Sequence, residues 1–401
     1  MLDFMDHVQS AFYEASHWNV DNSYGALHAT ARGLLGFQPP RGLRLQISSL
    51  AAPNFATSYT LGSVGVLDGS VSYLYSSLPL KREFKSKNLD LHHVIRGYRH
   101  LQELRRPDEN WWWEIWHAGK RIDRRDTLLY GRIFLPQSTL EALYLRRLSP
   151  TRQLKITAVS DSTLNNGGTI LALLQNDFGK YSTEYMYSTD SALMGVRGLY
   201  NFGPDPRKGP TTPTLQDAAA EPIHGRFSAG AELYYGILNK SGGMSTGFRF
   251  TTLPNHSGFP YTMTLTCNPL MGNLSSIYAV KAGKNVALCS RFDFNFYSYE
   301  SELQLGLELW QRRRSTDTEW AIKKIRPEWK AQGQGQGQGA TVTPDDDVTG
   351  ILKARVDQDW RIGLLWEGRI KELLFTIGAS LDLKKREQIF RAVGIELQYS
   401  S

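Results

Sequence analysis

Few residues in this 401-residue chain have the type and spacing that chemistry needs. His92-His93 could offer imidazole nitrogens to a metal, but no Cys, Asp or Glu stands at ligand spacing, and both read as solvated. Asp345-Asp346-Asp347 supplies carboxylates without the glycine and distal glutamate of a calcium loop. The alternating Gln and Gly from Gln332 to Gly339 read as a flexible low-complexity tract. They make no phosphate cradle, because no Lys-Ser/Thr and no strand-to-helix context follows. Gly62 and Gly65 are better explained by a strand and its turn. Cys267 keeps phase with Met263 and Leu265, whereas Cys289 stands opposite Leu288. No disulfide framework is expected from that pair, and neither cysteine has metal-ligand spacing. The sequence thus predicts no catalytic residue, no metal site and no cofactor, and the chain does not read as an enzyme.

Recognition is the chemistry that remains. Tyr73 and Tyr75 share one face of an extended segment beside the largest connection, and Phe292 and Phe294 form a similar pair far along the chain. Aromatic side chains give large contact area and are over-represented at binding hot spots, so these four are candidate partner-binding residues. In a membrane wall the same pairs would instead serve as girdle or lipid-facing residues. The net charge of +7 suits anionic lipid headgroups or acidic proteins. Basic residues are scattered, apart from Arg312-Arg313-Arg314 and the stretch after Leu80, and nucleic acid is not an expected partner.

The elements that must position these residues are strands. From Arg41 the apolar period is two: Leu43, Leu45 and Ile47 alternate with Arg44, Gln46 and Ser48. The pattern recurs at Phe227–Tyr235, Met244–Phe250, Leu303–Leu309 and Leu373–Leu383. Many segments run about nine to eleven residues, the length of a tilted membrane-spanning strand and longer than usual in a soluble sandwich. The off-phase positions are small or carry charges of both signs, as a solvated lumen tolerates. No run of about 18 apolar residues occurs, which excludes a helical membrane protein. The mean hydropathy of −0.37 is what alternating lipid and lumen faces average to.

About nineteen strands are predicted, starting near residues 41, 56, 69, 127, 139, 152, 168, 181, 192, 225, 242, 260, 273, 285, 301, 349, 360, 372 and 390. Alternation is ragged in those at 127, 139 and 168, and Asp68-Gly69 is read as a hairpin turn. Residues 1–40 form an N-terminal segment, helical to about Leu35, and 41–401 an all-β transmembrane up-and-down barrel. Leu2, Met5, Val8 and Phe12 make the helix amphipathic, to pack on a core or to lie in or at a barrel lumen. Long connections at about 79–126 (with Trp111-Trp112-Trp113), 203–222 and 311–347 each follow an odd-numbered strand, so all three leave from one rim. The N-terminus lacks both a secretory h-region and an arginine-rich presequence, so a membrane address would be internal.

The chain closes on Val393, Ile395, Leu397 and Tyr399 facing one way and Gly394, Glu396 and Gln398 the other. An alternating final strand needs an edge partner, which barrel closure supplies. Its spacing resembles the sorting signal that ends mitochondrial outer-membrane barrels, with Gly394, Leu397 and Tyr399 at the signal positions and Ala392 where that signal has a polar residue. The opening Met1–Tyr13, Arg41–Leu45, Phe55–Gly62, Gly69–Ser77 and the closing strand together resemble the fungal mitochondrial distribution and morphology protein 10 family. That resemblance implies a nineteen-stranded, eukaryotic porin-like barrel integral to the mitochondrial outer membrane. It also implies a non-enzymatic subunit of the ER–mitochondria encounter structure, linked to lipid exchange and mitochondrial shape. The implied partners are other subunits of that tether, the sorting and assembly machinery with its barrel, translocase subunits during assembly, and membrane lipids. The alternative is a metabolite or ion pore of the porin type, against which three long loops and mixed lumen charge argue.

Overall fold

An odd number of strands dictates how a meander closes, because its first and last strands then run the same way. In the computed structural model, nineteen strands join in one closed sheet. They are β1 (Gly42–Ala52), β2 (Phe55–Val64), β3 (Val66–Ser76), β4 (Thr127–Leu135), β5 (Leu140–Ser149), β6 (Arg152–Ser160) and β7 (Gly168–Asp177). Then follow β8 (Tyr181–Ser188), β9 (Leu193–Asn201), β10 (Gly225–Gly236), β11 (Ser241–Thr252), β12 (Tyr261–Asn268) and β13 (Asn273–Val280). The last are β14 (Val286–Asn295), β15 (Ser301–Arg312), β16 (Val348–Asp357), β17 (Arg361–Ile370), β18 (Leu373–Asp382) and β19 (Phe390–Ser400). Successive strands pair antiparallel, and the seam between β1 and β19 is parallel, from Gly42 opposite Gly394 to Ser48 opposite Ser400. The structure describes all residues except 65, 81, 105–113, 118–119, 124–125, 165, 204–224, 254–255, 257, 313–347 and 385–388, and omits the side chains of 64, 66–67, 114–117 and 120–123.

The period-two pattern becomes two faces of one wall. On β15, Leu303 and Leu305 point out and are exposed, while Gly306 and Glu308 point in and are buried. On β19, Val393, Ile395 and Tyr399 are exposed outside, and Gly394, Gln398 and Ser400 are buried inside. An outer wall of leucine, tyrosine and phenylalanine around a polar interior is the face relation of a membrane-spanning barrel. Among the described residues, no helix is long and apolar enough to cross a membrane. Connections 77–126, 202–224 and 313–347 follow β3, β9 and β15, so they leave one rim, called here the long-loop rim. Trp111–Trp113, the Gln-Gly tract and Asp345–Asp347 lie outside the described residues.

Two expectations are corrected. Asp68 and Gly69 are not a turn but part of β3, paired with Gly62 and Leu61, and the pairing continues to Val64 opposite Val66. The pairing runs on because Gly62 has no Cβ: one built there would meet Asp68 Oδ1 at 2.2 Å, so the carboxylate occupies that space on the inner face. The N-terminal helix is also not continuous to Leu35. It comprises α1 (Phe4–Ala15), a 3-10 turn (Tyr24–Ala26) and α2 (Ala29–Leu35). His17 breaks it with a left-handed φ of 56°, and Ser23 restarts it by accepting from Gly25 N at 3.1 Å.

The amphipathic stripe of α1 faces the inner wall. Met5, Val8 and Phe12 are buried against Ala56 of β2, Leu74 of β3, Leu128 of β4 and Leu143 and Leu145 of β5. Burying a Phe or Leu in this way stabilises by about 1.5–3 kcal/mol. The helix therefore lies inside the lumen. The first connection joins it there: Leu80 and Phe84 complete the same cluster, and Leu2 N donates to Val94 O at 2.8 Å.

Candidate functional site

The site starts from a packing problem. A helical segment inside a barrel must bury its backbone ends and fit against a pleated wall, and the wall supplies both needs. Arginines on inward positions take the carbonyls left unpaired at helix C-termini, where the dipole also favours a cation. Arg147 on β5 donates to Ser16 O past the end of α1. Arg249 on β11 donates to Ala26 O at 3.3 Å, and Arg355 on β16 donates to Leu35 O at 2.8 Å. At the other end, Asp3 accepts from Gln46 Nε2 and pairs with Arg132 at 2.9 Å.

Glycines make the fit. A Cβ on Gly230 would meet Tyr24 at 2.7 Å, one on Gly247 would meet Leu27 at 2.8 Å, and one on Gly306 would meet Leu35 at 2.6 Å. The segment then leaves along Pro39-Pro40, which crosses Gly378 and Gly394, paired neighbours on β18 and β19. A Cβ on Gly394 would lie 2.6 Å from both Pro40 O and Gly42 O, backbone atoms that cannot swing aside.

Residues 82–104 complete the filling. Arg82 pairs with Glu14, Arg96 with Asp6 at 2.8 Å, and Arg99 with Asp21. Lys353 on β16, almost fully buried, donates to Arg96 O and faces Glu367 at 3.5 Å. Glu308 accepts from Tyr98 N at 3.3 Å. Burial moves the titrations of the luminal segment: His7, pressed edge-on to Phe84, is lowered to about 4, and so is His28, each chiefly by desolvation. What space remains is divided, with cavities of about 340, 370 and 560 Å³ that all touch Arg32.

His92 and His93 lie on a single turn, α3 (Leu91–Val94), and are exposed. Asp90 does stand beside them, accepting from His92 N at 3.0 Å and facing His93 Nε2 at 3.7 Å, and His92 stacks on Trp310. Among the described residues, no three His, Cys, Asp or Glu side chains gather as a metal site. Cys267 and Cys289 are both free thiols.

The outer candidates separate. Tyr73 and Tyr75 are each 47% exposed near the long-loop end of β3, and Tyr73 stacks on Phe55 with centroids 6.1 Å apart. Phe292 is exposed on β14, almost opposite in the ring, but Phe294 is half-buried and pairs with Phe296 at 5.2 Å. The second pair lies toward the short-turn rim, so the two pairs differ in height as well as in direction. Leu397 and Tyr399 face out beside β1, while Gly394 faces in under the segment's exit.

A family model described as mitochondrial distribution and morphology protein 10 matches residues 1–338 and 321–401. The chain belongs to that family. It is 81% identical over the full length of both chains to the mitochondrial distribution and morphology protein 10 of Phaeosphaeria nodorum, and 62% identical, again over both full lengths, to that of Sclerotinia sclerotiorum. The protein of that name from Podospora anserina is 44% identical over the whole of both chains. Membership supports a role in mitochondrial distribution and morphology, in a family of mitochondrial proteins with this barrel fold.

Reading the sequence alone missed the luminal arginines and the inward course of residues 82–104. Arg249 falls in the polar phase of Met244–Phe250, but nothing in one sequence links it, Arg147 or Arg355 to a carbonyl more than a hundred residues away.

Proposed function

We propose that this barrel sits in the mitochondrial outer membrane as a non-enzymatic tethering and assembly subunit. Its partners on this reading are subunits of the ER–mitochondria encounter structure on one side. On the other are the sorting and assembly machinery with its barrel, and translocase subunits during their assembly. Lipid exchange, mitochondrial shape and inheritance follow from the tether. The observation that carries the reading is a lumen filled by the chain's own first 40 residues and by residues 82–104, which leaves the outer wall and rims as the working surfaces. Two aromatic sets on nearly opposite walls and at different heights suit a protein that joins two assemblies.

Co-purification in gentle detergent, at matched barrel abundance, tests the assignment. Tyr73→Ala/Tyr75→Ala should weaken mainly the tethering partners, and Phe292→Ala/Phe294→Ala mainly the sorting-machinery association. Equal loss of both complexes would mean a folding defect, and no loss in either would mean that the rings only face lipid. The alternative, a porin-type channel, would be favoured by a steady voltage-dependent anion conductance of the reconstituted chain in planar bilayers.

A further inference from the structure

Among the described residues, the outward wall of β3 to β10 carries no charge except near the long-loop rim. There Arg146 on β5 and Arg152 on β6 face out, and among the described residues no Asp or Glu shares that face of those strands. The direction of Arg146 follows from its neighbours: Leu145 and Arg147 are buried in the lumen, and Leu148 is exposed outside. Arg146 stands opposite Thr127 and Leu154, and Arg152 opposite Ser149 and Asn176. The two cations are thus diagonal neighbours across one strand pair, within about 7–8 Å at Cβ.

Neither arginine has an ion-pair partner among the described residues, and the Arg146 Nε is buried with no hydrogen-bond acceptor. Arg146 Nη1 donates to Tyr144 OH at 3.4 Å, which leaves the phenol proton free to donate outward. Asn176 Nδ2 reaches Thr183 Oγ1 at 3.3 Å on the same face. Exposed Leu129 and Leu148, with Leu154 between the two arginines, supply an apolar floor. A guanidinium on a bilayer-facing wall is costly unless it reaches the interface and finds an anion, and its fork matches phosphate oxygens. Both arginines stand within a few residues of the long-loop rim, the level at which the apolar band of a membrane barrel gives way to the interface.

We propose that Arg146 and Arg152, with Tyr144, form a seat for the phosphate of an anionic glycerophospholipid, its acyl chains lying along Leu129, Leu148 and Leu154. The apolar floor selects a lipid over free phosphate, and the lack of carboxylates among the described residues of that face selects a net negative headgroup over a zwitterionic one.

The test is lipid retention by the purified full-length chain. The protein is exchanged into mixed micelles with equal phosphatidylcholine and phosphatidylglycerol, and bound lipid is counted by native mass spectrometry. The wild type should retain phosphatidylglycerol with a preference of roughly thirtyfold, as two interfacial cations would give. Arg146→Gln/Arg152→Gln should lose that preference, and Arg391→Gln, an exposed arginine toward the short-turn rim, should keep it. Arg146→Lys/Arg152→Lys retains charge without the fork and should fall between them, and Arg152→Gln alone serves if the double variant does not fold. An unchanged preference in the folded glutamine variants overturns the site. So does removal of the preference by excess inorganic phosphate, which would make it a free-anion site. Loss of a co-purifying acidic protein without any change in lipid overturns it in favour of protein docking.

Discussion

Arg355 on β16 donates from Nη1 to the carbonyl of Leu35, the last residue of α2, across 2.8 Å. That contact fastens a helix of seven residues, too short to persist alone, to the wall it leans on. Its guanidinium also lies over the Phe37 ring at 5.6 Å, so it holds both the helix end and the chain that leaves it.

Arg355→Gln should therefore release α2 before it disturbs the barrel. A hydrogen bond from a charged donor is worth roughly 1.5–3 kcal/mol. Hydrogen exchange of Ala29–Leu35 should speed up while exchange of β13 to β16 stays slow. Unchanged exchange in α2 would mean that the helix is held by Leu35 on Gly306 and its apolar neighbours alone.

The wall itself makes a second prediction. Single cysteines at the exposed Leu303 and Leu305 should react with lipid-soluble reagents, and one at the half-buried Gln304 between them with a water-soluble reagent. Leu305→Arg should destabilise the inserted barrel by about 2–4 kcal/mol, read from denaturant unfolding in lipid. Labelling without a two-residue period would sink the membrane-wall assignment.

Strand number, closure and most strand starts were legible because the outer wall enforces the period. Ragged alternation at β4 and β5 now has a cause. Leu128, Leu143 and Leu145 face inward yet are apolar because α1 docks on them, and Leu171 and Leu173 of β7 are apolar on the same inner face. The Asp68-Gly69 turn failed because a local dipeptide preference was outweighed by continuous pairing to Val64. The lumen was only half legible: a helix stripe shows that a face is buried, not which of nineteen strands buries it. Nor did the sequence place Phe294, whose ring turns to Phe296 instead of making an exposed pair with Phe292.

Gly394 fits beneath the exit of the luminal segment, and that role can be separated from the signal role expected of the final strand. Gly394→Ala puts a methyl group 2.6 Å from two backbone oxygens, so it should open the β1–β19 seam and lower stability wherever the barrel is made. Leu397→Asp leaves that seam's inner face untouched and places a charge on the outer one. If the final strand is an assembly signal, with Tyr399 as its other apolar member, an import assay should find Leu397→Asp stalled before insertion. Assembly of Leu397→Asp at the normal rate would leave only the structural role.

Acid should loosen the luminal helix through His7. Its pKa falls from an ordinary 6.5 to about 4, first because burial penalises the imidazolium and then because Arg82 and His93 lie near. A released α1 therefore binds a proton that the docked one refuses. The stability that His7 contributes is complete above about pH 6.5, declines as pH falls, and is gone by about 4, amounting to roughly 3 kcal/mol at most. Asp6, whose carboxyl is raised chiefly by burial, works the other way and reduces the net effect. Hydrogen exchange of Phe4–Ala15 should accelerate between pH 7 and pH 5, while exchange of β15 and its neighbours, corrected for the intrinsic effect of pH, does not. His7→Phe, which keeps an aromatic against Phe84 without a titrating group, should remove most of that dependence. If the variant and the parent chain respond alike, the acid response belongs to another group and His7 is only a packed ring.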